Sequence, residues 1–452
     1  MAHTAYKFRL YPNATQTKAL ESQLETLRRV YNDALQIHKD VYAATGKSPK
    51  LDYARELIIL TRNAQRDDAK QGRGGPKWLT QVGSVPIRDV CKRVQKAFDN
   101  FFRRLKTGEK PGFPRFKSYG RMTSIPFENY ASGCTLRDSR GKSLKSDIPA
   151  AQNGCRLDFF GVGLVRVLVH RPVIGIIKTA CVEREPDGKW YVVLVSQTAD
   201  MIPEPKVGPA VGIDVGLNHF LVTSDGEFRE NPRYQKKELK NLRRLQRSSS
   251  RKIEAAKRRK AKFRECKNLQ KSFRKVAQLH VRVRNLRKEH HHTEANRLVH
   301  RCGIICVEKL NIRGMVRNNK LARSISDAAW GGFLTILKHK AAKAGVQCIE
   351  VNPSGTSQTC PLCWGHVPKT LKDRWHDCPH CNYYTNRDRA SAKVILARGL
   401  EAIGVGSIPA VANLCVSGGL RRSPVQSDIS VVTEKANLSR NVAERPKKTD
   451  SG

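Results

Sequence analysis

Two pairs of cysteines limit what this chain can fold into more than any other feature. Cys360-Pro-Leu-Cys363 and Cys378-Pro-His-Cys381 are separated by fourteen residues, a spacing typical of zinc ribbons and knuckles. Each tight turn presents two thiolates, and four thiolates complete the tetrahedral shell that Zn²⁺ accepts. We therefore predict a structural zinc site at these four cysteines, closed by its own ligands and without an open position for catalysis.

Three histidines lie near these cysteines in the sequence, namely His366, His376 and His380. Because four thiolates already fill the shell, we interpret the histidines as bystanders. The other nine of the thirteen cysteines are scattered singly. In a chain without a secretory signal segment this pattern favours metal binding over disulfides and a reducing compartment. The expected location is cytoplasmic, with nucleoid association if the source is prokaryotic.

The charge balance points to a polyanionic partner. The 452 residues include 84 Lys and Arg against 40 Asp and Glu, a net charge of +44, which is far more than solubility requires. No apolar run approaches the length of about 18 residues that a membrane span needs. Nucleic acid is therefore the predicted partner, and no membrane is expected. The length favours two or three domains.

The stretch Val211–Phe220 reads as a short buried strand that one carboxylate, Asp214, interrupts. Gly212 and Gly216 remove side chains on either side of it, which suggests close approach of another backbone or of a ligand. A charge within an apolar strand must be paired, metal-bound or neutralised. The simpler alternative, an edge-strand aspartate facing solvent, stays open on this stretch alone.

Two further carboxylates stand in similar settings. Glu308 follows the predicted buried strand Gly303–Val307, and Asp388 lies in the first turn of a helix predicted from Thr385 to about Leu400. Each has a simple alternative, as a strand-end charge reaching water or as an anion at a helix N-terminus. If the three acids converge, their oxygens suit Mg²⁺ or Mn²⁺. Two such ions could support phosphodiester hydrolysis.

The order of elements around these acids indicates an α/β fold. After the Asp214 strand come a long crossover, the Gly303–Val307 strand, a helix predicted over Asp327–Ala344 and a buried strand predicted over Val346–Val351. This order is typical of parallel strand pairs, and such sheets place their sites at the carboxyl ends of the strands.

The crossover is the most basic part of the chain. Residues 231–290 hold 23 Lys and Arg against 4 Asp and Glu, which favours direct contact with phosphates over an ordinary solvated face. Apolar residues recur every three or four positions and predict the seam of a long helical hairpin. They are Leu269, Phe273, Val276, Leu279, Val283 and Leu286.

The first half of the chain predicts a small β-barrel or sandwich that helices interrupt. Tyr6–Tyr11 alternates as a strand does, and β patterning returns from Cys155 to about Gln197. Three helices are predicted between them. The first is capped by Thr15 or Thr17, and the others span about Asp52–Asp68 and Val85–Lys106.

A loop after these helices has the composition of a nucleic-acid contact. Lys110–Lys117 interleaves Phe113 and Phe116 with basic residues. Cations can bind phosphates while rings stack on bases. The alternative is a proline- and glycine-rich turn with both rings tucked inward.

At this point the motifs resemble those of the transposon-encoded TnpB (OrfB) family, in the family's order over about residues 5–400. The segments that carry the resemblance are Lys7-Phe-Arg-Leu-Tyr-Pro-Asn-Ala-Thr-Gln16, Gly112-Phe-Pro-Arg-Phe-Lys117, Gly-Ile-Asp214-Val-Gly-Leu, Val-Glu308-Lys-Leu-Asn-Ile, Thr356-Ser-Gln-Thr-Cys360, both Cys-x-x-Cys pairs and Asn386-Arg-Asp388. The resemblance implies an RNA-guided DNA endonuclease with a RuvC-type, RNase H-like nuclease domain. Asp214, Glu308 and Asp388 fall on the family's three catalytic positions.

The resemblance also implies partners and a domain plan. A guide RNA derived from the transposon end, one protein per guide, would pair with double-stranded target DNA beside a short motif that the protein reads. The implied parts are a β-barrel (wedge) domain at 1–14 and 107–205, a helical recognition domain at 15–106, the nuclease domain at 206–355 and 383–402 with its basic hairpin at 231–295, a zinc-binding insert at 356–382, and a tail expected to be disordered at 403–452.

The chain departs from the family pattern around its last cysteine and last acid. Asn382 stands where glycine is usual, and the residues around Asp388 read Asn386-Arg-Asp388-Arg-Ala390-Ser-Ala392. Two other functions remain open: an RNA-guided DNA-binding regulator that does not cut, and a guide-free structure-specific nuclease or transposase. The presence of all three acids favours the enzyme over the regulator.

Overall fold

A computed structural model describes residues 2–46, 52–150, 154–199, 203–370 and 372–404. The chain divides into two compact units, residues 1–201 and 202–452. The tail predicted to be disordered lies outside the described residues from 405 onward. No helix in the described ranges combines the length and apolarity that a membrane crossing needs.

The first unit is a strand, three helices and then eight more strands. The helices are α1 Ala14–Thr45, α2 Tyr53–Lys70 and α3 Ser84–Lys106, with a 3₁₀ turn at Trp78–Gln81. The strands are β1 Ala2–Tyr11, β2 Ser124–Phe127, β3 Cys134–Arg137, β4 Ser143–Leu144, β5 Ser146–Ile148, β6 Arg156–Phe159, β7 Gly163–Leu168, β8 Val173–Arg184 and β9 Trp190–Thr198.

These nine strands form one antiparallel, half-barrel sheet in the order β2-β8-β9-β1-β7-β6-β3-β4, with β5 on β8. The first strand lies in the middle, between β9 and β7. Its alternation predicted a half-buried strand, and Tyr6, Phe8 and Leu10 are indeed the buried residues. The short strands between 124 and 148 were not predicted, because two to four residues carry too little alternation to detect.

The first helix begins two to four residues earlier than its sequence suggested. Asn13, not Thr15 or Thr17, is the N-cap. Its side-chain oxygen accepts from the backbone N–H of Gln16 at 2.8 Å, and the Gln16 side chain accepts from the Asn13 N–H at 3.0 Å. This reciprocal capping box satisfies two backbone donors. The three helices and the sheet share one hydrophobic core, to which Phe8, Val30 and Val94 belong.

The second unit contains the acids and the cysteine pairs. Its strands are β10 Ala210–Asp214, β11 His219–Thr223, β12 Phe228–Glu230, β13 Ile304–Glu308, β14 Gln347–Val351, β15 Trp375–Asp377 and β16 Tyr384–Asn386. Its helices are α4 Tyr234–Arg258, α5 Lys267–Arg301, α6 Ile312–Met315, α7 Ala322–Ala328, α8 Trp330–Lys343 and α9 Arg387–Ala402.

Five strands of this unit form a mixed sheet in the order β12-β11-β10-β13-β14. The pairs β10–β13 and β13–β14 are parallel, whereas β12, β11 and β10 are antiparallel. The α/β class with parallel pairs is thus confirmed. On one face, α5 and α8 contribute Leu298 and Phe333 to a core. On the other face, α9 packs through Ile395 and Leu396.

Two sequence predictions in this unit were wrong. The single helix expected over Asp327–Ala344 is two helices, because Ala329 has a left-handed backbone (φ +53°) between α7 and α8. The break lets Ala328 and Trp330, on either side of it, both enter the core. The strand expected to be buried, β14, is an edge strand in which only Val351 is buried.

The basic crossover folds as predicted, as a hairpin of the two long helices α4 and α5. Leu269, Leu279 and Val283 of the expected seam are buried, whereas Phe273 is exposed. The seam also holds a polar contact, since the hydroxyls of Ser249 and Ser272 lie 2.7 Å apart in the buried interface. The predicted period of the apolar residues was correct. The prediction failed at Phe273 because the apolar face of α5 is too broad for one partner helix to cover.

Candidate active site and metal centre

Asp214 and Glu308 end neighbouring parallel strands. The register pairs Gly212 with Cys306 and Ile213 with Val307, so the next position along each strand is Asp214 and Glu308. Val211, Ile213 and Val307 alternate with them and belong to the core on the opposite face. The two acids therefore leave the sheet at its carboxyl edge, on the face that α9 covers.

Gly212 sets the approach of α9 to that face. A Cβ on Gly212 would lie 2.0 Å from the carbonyl oxygen of Ala392 and 2.7 Å from the amide nitrogen of Leu396. No side chain can occupy that space. The close backbone approach predicted for this glycine is therefore confirmed, and it brings the first turn of α9, with Asp388, to the carboxyl ends of β10 and β13.

Asp214 lies close enough to the other two acids for their charges to act on it. The pKa of Asp214 is raised well above its ordinary value, first by burial and then by the negative charges of Glu308 and Asp388. The positive charge of Arg387 opposes this rise. Two carboxylates that disfavour the ionised form of a third are close neighbours. The structure thus brings all three predicted acids together at one place.

Glu308 is held by a residue from the segment that leads into the first cysteine pair. The Thr356 hydroxyl donates to Glu308 Oε1 at 2.5 Å. Burial raises the pKa of Glu308, while the Thr356 hydrogen bond and the charge of Arg398 lower it. Arg398 is itself fixed by hydrogen bonds to the carbonyl oxygens of Asn352 and Ser354, at 3.0 and 2.7 Å.

Asp388 is oriented by the helix start that its neighbours create. The Asn386 side chain caps α9, accepting from the backbone N–H of Asp388 at 2.9 Å and of Arg389 at 3.4 Å. The Arg387 guanidinium donates to the carbonyl oxygens of Thr370 and Asp373, at 2.8 and 3.4 Å. Asn386 thus serves as an ordinary N-cap of α9.

The four cysteines form a ready-made metal ligand set. Their sulfur atoms all lie within 4.8 Å of one another. The Sγ atoms of Cys360 and Cys381 are 3.6 Å apart, and those of Cys363 and Cys378 are 3.5 Å apart. These distances exclude disulfides, whose S–S length is about 2.0 Å. They approach the ~3.8 Å edge of a tetrahedron with metal–sulfur distances of about 2.3 Å.

Within the described part of the chain, the cysteines are the one group whose donor atoms are gathered in this way. The acids are close enough to perturb one another but do not form such a tight single-ion set. The histidines stay outside it. His376 is buried and contacts the Lys369 ammonium, while His366 lies 3.4 Å from the Gln358 side chain.

Each cysteine pair ends in a residue with a left-handed backbone. Trp364 (φ +62°) follows the first pair, and Asn382 (φ +58°) follows the second. Asparagine is one of the few residues that adopt this conformation readily. Asn382 can therefore stand where glycine is usual in the family, so this departure leaves the turn intact.

The aromatic loop Lys110–Lys117 of the first unit agrees partly with a nucleic-acid contact and partly with a turn whose rings are tucked inward. Phe113 and Phe116 are each about half exposed, and the Lys39 ammonium lies 4.3 Å from the Phe116 ring centre. Phe113 also packs edge-on against Phe98 and Phe101. One ring is therefore partly structural, and both leave surface for a ligand.

Sequence reasoning missed the residues that hold the acids in place. Thr356 was quoted only as part of a motif, and neither Arg387 nor Arg398 was given a role. A hydroxyl, a guanidinium and an amide cap have no signature of their own in a single sequence. Their only available signal was their closeness along the chain to Cys360 or Asp388.

Comparison with known proteins finds sequence profiles and relatives that this chain resembles. A sequence profile described as a probable transposase matches residues 180–319, one described as a Cas12f1-like TNB domain matches 330–395, and one described as a helix-turn-helix domain matches 1–47. A Streptomyces pristinaespiralis protein, provisionally named an RNA-guided DNA endonuclease, is 29% identical over 89% of this chain and 90% of its own length. A TnpB-like protein of Acanthamoeba polyphaga mimivirus is 28% identical, over 87% of this chain and 73% of its own length. The chain is therefore similar to proteins of the TnpB (OrfB) family over most of its length.

The name of the profile that matches residues 1–47 does not fit the structure of that segment. The described part of this segment, residues 2–46, consists of β1 and the single long helix α1 and does not form a helix-turn-helix. A solved structure of the mini-RNA-guided endonuclease CRISPR-Cas phi3 matches 92% of this chain and 93% of its own at 10% identity. Its TM-score of 0.39 is too low to compare the folds in detail.

Proposed function

We propose that this protein is an RNA-guided, divalent-metal-dependent DNA endonuclease encoded by a transposable element. It would cut target DNA beside a short motif that the protein reads, by RuvC-type phosphodiester hydrolysis. The observation that carries the proposal is that Glu308, from the neighbouring parallel strand, and Asp388, from a helix start, lie close enough to Asp214 for their charges to raise its pKa. The names of the Streptomyces and mimivirus relatives agree with it.

The chemistry of the three acids fits hard divalent cations. Carboxylate oxygens are the ligands that Mg²⁺ and Mn²⁺ prefer. Burial and then the charges of Glu308 and Asp388 raise the pKa of Asp214, and a bound cation would favour its ionised form. When bound there, such ions would activate water and stabilise the leaving oxygen of a phosphodiester. Thr356 would keep Glu308 in one orientation, and the Asn386 cap would do the same for Asp388.

The cysteine cluster fits a structural zinc ion. All four ligands come from the protein, so the ion would stabilise the segment 356–382 without taking part in hydrolysis. Its two turns pack their own small apolar cluster, which includes Val367. Folding of this segment would therefore depend on the metal.

The strand order supports an RNase H-like nuclease domain. Three antiparallel strands followed by two parallel ones, with acids at the ends of β10 and β13, give a site at the carboxyl edge of the sheet. We keep the domain plan of the family as part of the proposal: wedge 1–14 and 107–205, recognition 15–106, nuclease 206–355 and 383–402, and zinc insert 356–382.

The basic hairpin α4–α5 supports a long nucleic-acid partner. Its net positive charge over residues 231–290 is spread on two helices whose common seam is apolar, which leaves the cations outward. In RNA-guided nucleases base pairing reads the sequence and the protein holds the heteroduplex by its backbone. We propose one guide RNA, derived from the transposon end, for each protein.

Two competing functions make different predictions. A regulator without cleavage would bind guide and target but leave the DNA whole. A guide-free nuclease or transposase would cut without bound RNA.

The test begins with the RNA that copurifies with the protein. We expect one abundant species that contains a guide, and Mg²⁺-dependent cutting of a plasmid that matches this guide. Absence of bound RNA together with cutting would favour the guide-free nuclease. Bound RNA with target binding but no cutting at any divalent ion concentration would favour the regulator.

A further inference from the structure

An exposed aromatic pair stands on the hairpin that links the cysteine cluster to α9. The hairpin consists of β15 and β16, with Trp375 opposite Asn386 and Asp377 opposite Tyr384. The rings of Trp375 and Tyr384 stack with centroids 5.3 Å apart and planes inclined by only 8°. Trp375 nevertheless remains 53% exposed. A large ring that is fixed in orientation yet left in water is not part of a core.

The register of the hairpin creates this exposure. Successive strand residues point to opposite faces. His376 and Thr385 point to the inner face and are buried, whereas Trp375 and Tyr384 share the outer face. The buried residues of the inner face complete the packing around the cysteine segment, so the two outward-facing rings contribute little to that packing. Exposed apolar surface of this kind carries a solvation cost that a ligand would remove.

The pair lies next to the acidic site. Asn386 caps α9, whose second residue is Asp388. The backbone carbonyl of Arg374 accepts from the Arg387 N–H at 2.9 Å. With the Asn218 amide oxygen turned toward it, the Arg374 guanidinium donates to that oxygen at 2.8 and 3.2 Å. Asn218 lies in the turn that follows the Asp214 strand, so the hairpin is fastened to the active-site edge at two points.

Two basic residues close to the rings favour a nucleic-acid strand as the occupant. Lys372 and Arg374 are exposed on the same hairpin. The nearby carboxylate of Asp373 is engaged within its own turn, accepting from the Thr370 N–H at 2.7 Å and the Thr370 hydroxyl at 3.0 Å. Cations beside a flat ring suit phosphates beside a base, and stacking accepts any base because every base has a π-face.

We propose that Trp375, backed by Tyr384, is a stacking platform for an unpaired base of the DNA strand that reaches the acids. Tyr384 covers one side of the indole and fixes its plane, so a base can add as a third ring without ordering the side chain first. The platform would steady single-stranded DNA close to Asp388. The identity of the strand rests on the nuclease function proposed above, whereas the stacking site itself does not.

The test uses the RNA-bound full chain with Asp214→Ala, so that binding is measured without cutting. The probe is a short single-stranded DNA, unrelated to the guide, with 2-aminopurine placed at successive positions. Fluorescence of this base is quenched when it stacks. We expect quenching at one position with the parent protein. Trp375→Leu should abolish it and weaken binding roughly 5- to 100-fold, while Trp375→Phe should retain most of both.

Phe228→Ala is the matched control. Phe228 is also an exposed aromatic residue in the second unit, 40% exposed and in edge contact with the His219 ring. Its removal should change neither affinity nor quenching. The zinc content of each variant shows whether the cysteine segment is intact, and Trp375→Phe provides an aromatic variant that preserves the packing on Tyr384.

Any of three results would contradict the stacking site. The first is wild-type affinity and quenching in Trp375→Leu, and the second is an equal loss of both in Phe228→Ala. The third is an effect of Trp375→Leu that appears only with an RNA oligonucleotide of the same sequence as the DNA probe. The outcome is separable from that of the nuclease. If the wild-type protein fails to cut a programmed target while Trp375-dependent quenching persists, the nuclease function falls and the stacking site stands. If the wild-type protein cuts the target but quenching does not depend on Trp375, the nuclease function stands and the stacking site falls.

Discussion

The Thr356 hydroxyl donates a 2.5 Å hydrogen bond to Glu308 Oε1, and so joins the lead-in of the cysteine cluster to a proposed catalytic acid. Thr356 is buried, and Cys360 lies only four positions after it in the sequence. The metal centre and the acidic site are therefore linked through one side chain. Folding of the cysteine segment would set the position of Glu308.

Thr356→Val should slow cleavage without changing target affinity. The substitution keeps the shape of the side chain but removes the donor, which costs roughly tenfold in rate if the hydrogen bond is worth about 1.5 kcal/mol. Thr356→Ser retains the hydroxyl and should cleave at nearly the wild-type rate. The measurement is single-turnover cleavage across a Mg²⁺ titration. Equal rates for valine and serine variants would remove Thr356 from the site.

Gly212→Ala should disrupt the second unit. The added methyl group would meet the Ala392 carbonyl and the Leu396 amide at distances that no packing allows. Overpacking of this kind costs about 1–3 kcal/mol or more, and here it would also displace Asp388. We expect a lowered melting temperature and lost cleavage. Gly332→Ala is the control, because its nearest neighbour would be His291 at 3.7 Å. Similar melting of both variants would contradict the proposed close approach.

Cys360→Ser and Cys378→Ser should release zinc and lower the melting temperature of the second unit. Both sulfurs are buried within the four-thiol cluster, and a structural zinc site contributes directly to folding. Metal content by elemental analysis, together with thermal unfolding, provides the test. Cys266→Ser lies outside the cluster and should retain one zinc per chain. Full zinc occupancy in both cluster variants would refute the assignment.

The second unit should lose stability in mild acid through His291. Burial between Phe220 and Phe333 lowers the pKa of His291 to about 4. The unfolded chain takes up a proton near the ordinary value of about 6.5. Because the folded pKa is depressed, stability is complete above about pH 6.5 and is lost as the pH falls toward 4, by roughly 2–3 kcal/mol. Denaturant midpoints should therefore fall less steeply with acid in His291→Gln. Parallel pH curves would contradict this.

Much of this fold could be read from the sequence, for identifiable reasons. The strand around Asp214 is apolar and bounded by glycines, and the cysteine spacing allows few geometries. Both features depend on residues close together in the sequence. The break at Ala329 could not be foreseen, since alanine favours helix and its left-handed backbone arises from packing on both sides. The edge position of β14 likewise depends on which strands pair, which local pattern does not encode.

The residues of the candidate site likewise fall into those that the sequence indicated and those that it did not. Asp214, Glu308 and Asp388 stood out because each places a charge where apolar or capping residues are expected. Thr356 and Arg398 did not, because each acts through a contact with residues 44 to 48 positions away. Trp375 was hidden because an aromatic residue in a short strand predicts core packing, and only the register shows that it faces outward.

The most direct test of the account compares cutting with binding in Asp214→Ala and Glu308→Ala, both loaded with guide RNA and given a matching target in Mg²⁺. We predict that neither variant cuts during an incubation in which the wild type cuts to completion, while both bind the target with wild-type affinity. If either variant cuts at the wild-type rate, that residue is not catalytic. If both do, the acidic group at the ends of β10 and β13 is not the nuclease site.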